Sequence, residues 1–244
     1  MSDWTLDHVV IATSDLEVDI KDFEKNLQTT PIPGGKHPKL GTMNALVSVM
    51  NSKTYIEILA PDPSNKDGLG NQMLSLHKPG LSLTPYHFAI RTTNLEGVRS
   101  KAKALGMEPT PIQEMSRTTT NGKVLKWKWV FLRGHQLGGL VPFFVDWSGS
   151  HHPTETMDVS ADVGAACLSV KVVIAGTHEM LSKIKRLLSG VEGVEFEEHD
   201  VPALYFPVGI SGMEGGLITM RGYQPEGIDF EESKTRVFEW TEQN

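Results

Sequence analysis

The chain reads as short apolar runs separated by polar turns, and those runs fall into a recurring order. Thr5 to Ala12 is apolar almost throughout after His8, which predicts a strand. Ser14 or Asp15 can cap a helix that continues to about Leu27, and Pro31-Ile32-Pro33-Gly34-Gly35 stops it. Ala45 to Met50 and Tyr55 to Ala60 are predicted strands joined by the polar turn Asn51-Ser52-Lys53. A long polar connection then leads to a strand from Tyr86 to Thr92. The helix that follows runs from about Asn94 to Leu105 and ends at Gly106. Pro111 to Met115, Val124 to Leu132 and Val141 to Trp147 are predicted to be extended.

The order repeats because the sequence does. His8-Val9-Val10-Ile11-Ala12-Thr13-Ser14-Asp15-Leu16-Glu17 returns as His87-Phe88-Ala89-Ile90-Arg91-Thr92-Thr93-Asn94-Leu95-Glu96, with five of ten positions identical. A spacing that long repeats a whole structural unit. A weaker echo follows: Val172-Val173-Ile174-Ala175 matches Val9 to Ala12, and a helix is predicted from Thr177 to Leu188. Extended pieces recur at Val194 to Glu197, Ala203 to Phe206 and Leu217 to Arg221. We therefore expect an α+β protein in which residues 1–62 and 86–150 each run strand, helix, then strands. Residues 63–85 connect them, 151–163 form a linker loop, 164–222 a third degenerate module, and 223–244 a polar tail.

Composition narrows the partners. With charged residues at 22% and hydrophobics at 39%, the chain reads as an ordinary globular protein. A formal charge of −7 argues against nucleic acid, whose backbone calls for clustered Lys and Arg. Cys167 is the single cysteine, so no intramolecular disulfide is expected, and its apolar setting reads as buried strand. No long apolar run marks a signal peptide or membrane span, and a cytoplasmic location is the default expectation. No P-loop, dinucleotide fingerprint or nucleophile elbow is present.

Each copy also carries an acid far downstream in an apolar run: Glu57 in Tyr55-Ile56-Glu57-Ile58-Leu59, and Asp146 in Phe143-Phe144-Val145-Asp146-Trp147. Two His and two acids, one pair per copy, make His8, Glu57, His87 and Asp146 a candidate site for a divalent transition metal (Zn, Ni, Fe(II), Mn or Co). Such an ion polarises a carbonyl or lowers the pKa of bound water, while Glu57 or Asp146 moves protons. Taken singly, a His beside an apolar strand is more often a hydrogen-bonded structural residue, and an acid in a strand more often lies on a solvated face. In the third copy Lys171 and Thr219 stand where His8 and Glu57 stand, so that copy lacks the ligands.

At these residues the chain resembles the vicinal oxygen chelate superfamily, and its glyoxalase-like domain members in particular. In the first copy the resemblance rests on Leu6-Asp7-His8-Val9-Val10-Ile11, Gly34-Gly35-Lys36-His37, Gly41-Thr42-Met43-Asn44-Ala45-Leu46 and Tyr55 to Leu59. In the second it rests on Asn121-Gly122 with Trp127 or Trp129, and on Pro142 to Trp147. It covers about residues 5 to 175, and the third copy more faintly, and implies tandem βαβββ modules forming a curved mixed sheet around a cleft, with ligands on their first and last strands. By resemblance His8, Glu57 and His87 match ligand positions, and Asp146 stands where Glu is usual. Lyase or isomerase chemistry through an enediolate follows from four ligands. Three ligands resemble the facial triad of ring-cleaving non-haem iron dioxygenases. A metal-free binding or sequestering protein is the alternative from another class. A small-molecule partner is implied, and family habit allows a homodimer.

Secondary candidates surround this set. His37 sits in a Gly/Pro loop, read either as a solvated turn or as a substrate contact overhanging the first copy's concave face. Arg117 is placed to bind an anionic substrate or to form a surface ion pair. Trp127, Trp129 and Phe131 alternate with polar Lys126 and Lys128, so they share one strand face, either core or pocket wall; Trp129 is the substrate-binding candidate. His151-His152-Pro153 reads as an exposed loop or a lid.

Overall fold

The computed structural model describes residues 3–27, 29–49, 53–65, 83–119, 122–133, 140–155, 157, 168–200, 202–210 and 217–222. The first half runs β1 (Thr5–Ala12), α1 (Leu16–Leu27), β2 (Ile32–His37), β3 (Thr42–Ser48) and β4 (Tyr55–Pro61). The second runs β5 (Thr84–Arg91), α2 (Leu95–Ala104), β6 (Glu108–Pro109), β7 (Gln113–Thr118), β8 (Val124–Val130), β9 (Leu132–Arg133) and β10 (Phe143–Asp146). Asp15 caps α1 by accepting from the amides of Glu17 (3.1 Å) and Val18 (3.2 Å), and Asn94 caps α2 by accepting from Gly97 (2.8 Å). Gly106, at φ +73°, takes the left-handed turn that ends α2.

Eight strands close into a barrel in the order β1-β4-β3-β2-β7-β8-β10-β5. Both halves obey one rule: the first strand pairs in parallel with the last, and the last two hairpin strands follow. The halves join along β1 and β5, antiparallel, and again where Lys36 of β2 pairs with Thr118 of β7. The expected curved sheet thus closes on itself, so the expected cleft is a barrel lumen.

Strand alternation sorts the side chains into two layers. Val9, Ile11, Ile56, Ile58, Phe88, Ile90 and Phe144 point outward into a core shared with the helices. Val10, Ala12, Leu59, Ala89, Met115, Trp127, Trp129, Phe143 and Val145 point inward as a second cluster. Composition predicts neither β2 nor the two-residue β6. Ile32–His37 is β2 despite its Pro and two Gly, because the chain bulges between Pro33 and Gly35, with Gly35 at φ +126°. His37 therefore ends a strand and is not part of an overhanging loop.

The remaining chain forms β11 (Leu168–Val170), β12 (Val172–Gly176), α3 (His178–Leu187), β13 (Val194–Glu198), β14 (Ala203–Ile210) and β15 (Leu217–Gly222). Its order of elements matches the expectation of a third copy, but its pairing does not. The first strand, β12, lies between β13 and β14 instead of beside the last strand. A short strand-helix-strand crossover puts β12 and β13 side by side in parallel, which is a different solution to the same element list. This sheet covers the outer face of the barrel at β5, and Val172, Ile174, Leu204 and Phe206 join Leu6, Phe88 and Ile90 in one core. Among the described residues no helix is long and apolar enough to cross a membrane. Asn121, Cys167 and the tail 223–244 lie outside the described residues.

Candidate functional site

A bulge in β1 opens the site. Leu6 pairs with Ile90 and His8 with Ala89, so Asp7 is the extra residue in the ladder. A bulge re-aims side chains; here Asp7 and His8 come together beneath the barrel wall. Oδ1 of Asp7 lies 2.6 Å from Nδ1 of His8. Its Oδ2 accepts from Nε1 of Trp147 at 3.1 Å and faces Nε2 of His152 at 3.1 Å. Burial of Asp7 opposes its charge, yet the hydrogen bonds from His152 and His8 outweigh it and hold the carboxyl well below the usual range.

With Nδ1 committed to Asp7, the other ring nitrogen of His8 faces inward, 3.5 Å from Oε2 of Glu57. Tyr55 stacks on the imidazole at 4.5 Å and 16°, and the Phe143 ring meets it edge-on at 5.4 Å. Burial pushes the Tyr55 hydroxyl well above its ordinary pKa, and the charges of Asp7 and Glu57 add to this, so it stays a phenol. Glu57 is fixed from its other oxygen, where Nδ2 of Asn44 donates at 2.5 Å. Two side-chain atoms that are both natural acceptors, Nε2 and Oε2, thus confront each other across a gap that one proton bridges.

His37 and Arg117 reach the same space from β2 and β7. His37 is held by Thr42 (Nδ1 to Oγ1, 3.1 Å) and edges onto Trp127. Burial lowers its pKa to about 4 against the opposing pull of Glu57, with Arg117 and His8 lowering it further, so it is neutral at pH 7. Arg117 is buried at 5% exposure and donates from Nη1 to the carbonyl of Gly34. Among the described residues no carboxylate lies within ion-pair distance of it. A buried guanidinium without a counter-charge is costly unless an anion arrives. Oδ1 of Asn44 is buried with no hydrogen-bond partner among the described residues.

The second half answers differently. Val10 of β1 is opposite Glu57 of β4, and by the same rule Ala89 of β5 is opposite Phe143 of β10. Phe143 therefore occupies the place related to Glu57 by the internal repeat. Its ring stacks on His87 at 5.1 Å and 7°, and Phe131 lies parallel to both. Asp146 shares strand parity with the outward-facing Phe144 and pairs with Lys128, and its Oδ1 accepts from the amide of Ser148 at 2.8 Å. The expected set of His8, Glu57, His87 and Asp146 is thus not assembled: alternation turns Asp146 to the opposite face from Phe143. Among the described residues no three His, Cys, Asp or Glu side chains group as a metal site requires. The donors do not fit the four-ligand ion that the resemblance implied.

Trp129 faces inward and is anchored by donation from Nε1 to Oε1 of Gln113 at 2.9 Å. His151 is exposed, while His152, read from the sequence as loop, is buried against Tyr55 and Trp147. Asp7, Asn44, Tyr55 and Phe143 were not singled out from sequence. Asp7 was visible only as the residue before His8; its partners Trp147 and His152 come from the segment after β10, 140 and 145 positions along the chain.

With this geometry in place, comparison settles the family. The model of the glyoxalase-like domain matches residues 6–188. The chain belongs to the glyoxalase-like domain family. Its fold is shared by a hypothetical protein from Staphylococcus aureus, at TM-score 0.60 and 16% identity over 82% of this chain and 87% of that one. Methylmalonyl-CoA epimerase from Mycobacterium tuberculosis aligns over 58% of this chain and 86% of its own, at 21% identity and TM-score 0.40. A Streptomyces coelicolor methylmalonyl-CoA epimerase in complex with 2-nitronate-propionyl-CoA covers 61% of this chain and 97% of its own, at 18% identity and TM-score 0.45. No curated protein matches the sequence. In this family member the lumen lies between two halves whose first and last strands pair in the same way.

Proposed function

We propose that the lumen binds a small anionic, oxygenated molecule and that His8 and Glu57 move a proton to or from it, as an isomerase or lyase does. The observation that carries this is the pair itself: Nε2 of His8 and Oε2 of Glu57 at 3.5 Å, each fixed from behind, by Asp7 and by Asn44. A positioned acid-base pair of this kind contributes on the order of 10²–10⁴-fold in rate. Arg117 supplies the anion's counter-charge, bidentate for a carboxylate. Trp127, Trp129 and Phe131 wall the apolar side of the lumen. The reading takes residues 1–62 and 86–150 as two copies of one module, of which only the first keeps its acid.

Since the donors present do not fit a four-ligand ion, the proton steps rest on His8 and Glu57. A metal-dependent version would require His8, Glu57 and His87 to draw together as its donors, a grouping the described residues do not make. A panel of small 2-oxo and 2-hydroxy carboxylates in D₂O tests the proposal, with loss of substrate C–H signals followed by NMR and metal content measured on the same sample. We expect deuterium incorporation that survives a chelator and falls at least ~100-fold in His8→Ala and Glu57→Gln. Exchange abolished by chelation and restored by one transition metal would establish the metal-dependent version instead. Binding without exchange in the wild type would make this a sequestering protein.

A further inference from the structure

His152 arrives at Asp7 from 145 positions away in the chain, and its two ring nitrogens have separable roles. The amide of Thr154, a donor only, points at Nδ1 at 3.3 Å, and the Thr154 hydroxyl at 2.8 Å can donate to the same nitrogen, which makes Nδ1 the acceptor. In the neutral ring Nε2 must then carry the hydrogen, and it points at Oδ2 of Asp7. Trp147 is a donor only, and it reaches the same oxygen. Asp7 therefore receives two fixed N–H groups on Oδ2, which leaves Oδ1 to take the hydrogen of His8 at Nδ1. Arg91 stands at 3.7 Å and adds positive charge on the same side.

We infer that Asp7, clamped by His152 and Trp147, is a positioning residue that locks the proton of His8 on Nδ1 and so delivers a free Nε2 to Glu57. A ring nitrogen's protonation follows from the hydrogen bond made by the other nitrogen. The ring contacts of His8 with Tyr55 and Phe143 set orientation without choosing the tautomer. Two carboxylates compete for the proton, Asp7 at 2.6 Å from Nδ1 and Glu57 at 3.5 Å from Nε2, and the shorter contact holds it, so the loop 147–155 after β10 becomes part of the site through Asp7. This inference rests on the proposal that His8 is a proton-transferring group.

The test is long-range ¹H–¹⁵N NMR on the ¹⁵N-labelled full chain at about pH 8.5, roughly two units above the ordinary imidazole value. The wild type is expected to show His8 protonated at Nδ1 and bare at Nε2. Asp7→Asn should move the tautomer ratio at least ~10-fold toward Nε2–H, since a neutral amide oxygen attracts the hydrogen more weakly. His152→Phe keeps a ring against Tyr55 and Trp147 but removes the donor, and should move the ratio in the same direction by a smaller factor. If either variant fails to fold, the other still decides. An unchanged His8 tautomer in a folded variant, or Nε2–H dominant in the wild type, overturns the inference. The D₂O exchange assay separates the two claims: the expected tautomer without exchange removes the proposed chemistry and leaves the positioning intact.

Discussion

Gly34 is where the barrel's backbone and the site's polar network meet, and replacing it with alanine is a quantitative test of the geometry. It sits at the β2 bulge, and a Cβ there would fall 2.7 Å from Nη1 of Arg117 and 2.9 Å from Cγ of Asn44, with Oδ1 of Asn44 closer still. Both neighbours are side-chain ends, so they yield and lose what they hold. Asn44 would give up its bond to Glu57, and Arg117 its bond to the Gly34 carbonyl. Each is a hydrogen bond to a charged group, contributing about 1.5–3 kcal/mol. With partial relaxation of both, the net cost is roughly 3 kcal/mol. For a chain of this size that lowers Tm by roughly 6–12 °C. Scanning calorimetry of Gly34→Ala reads it, and the Asn44→Ala background is the control. There the crowding is relieved on one side, so the second substitution should cost clearly less. A Tm within about 2 °C of wild type, or a cost undiminished by Asn44→Ala, would refute the reasoning.

Two further outcomes follow from the same lumen. His37 titrates near 4 in the folded protein against 6.5 as a free side chain, so between these values the unfolded chain binds a proton that the native state does not. Stability from this residue is intact above pH 6.5 and is lost as pH falls toward 4, by up to about 3 kcal/mol. Urea midpoints should fall across that window in the wild type and less steeply in His37→Gln; identical slopes would show that His37 is not the group responsible. Phe143→Glu restores a carboxylate at the place related to Glu57. It should bind about one equivalent of Ni(II) or Zn(II) at least tenfold more tightly than the wild type, with the gain removed by His8→Ala. Calorimetric titration with equal affinity for both proteins would mean that Phe143 does not hold that place.

Much of the architecture was legible before any coordinates, because it is written in local pattern. The repeat of His8 to Glu17 at His87 to Glu96, the capping residues Asp15 and Asn94, and the continuous apolar strands fix elements one at a time. So was the shared face of Trp127 and Trp129, read from strict alternation; only the closed sheet turns that face, with His8 and Glu57, toward the lumen. What sequence could not decide was pairing. A carboxylate in an apolar strand says nothing of which face it takes until the register is known, and one step of parity separates Asp146 from Phe143. The third sheet makes the same point: its elements come in the expected order, yet β12 pairs with the strand beyond its own helix. Closure of the barrel through Lys36 and Thr118, the Asp7 bulge, and the arrival of His152 and Trp147 at Asp7 are long-range events. Each depends on which strands become neighbours, and that is settled by burying two faces of one closed sheet at once, a cooperative choice no single segment makes.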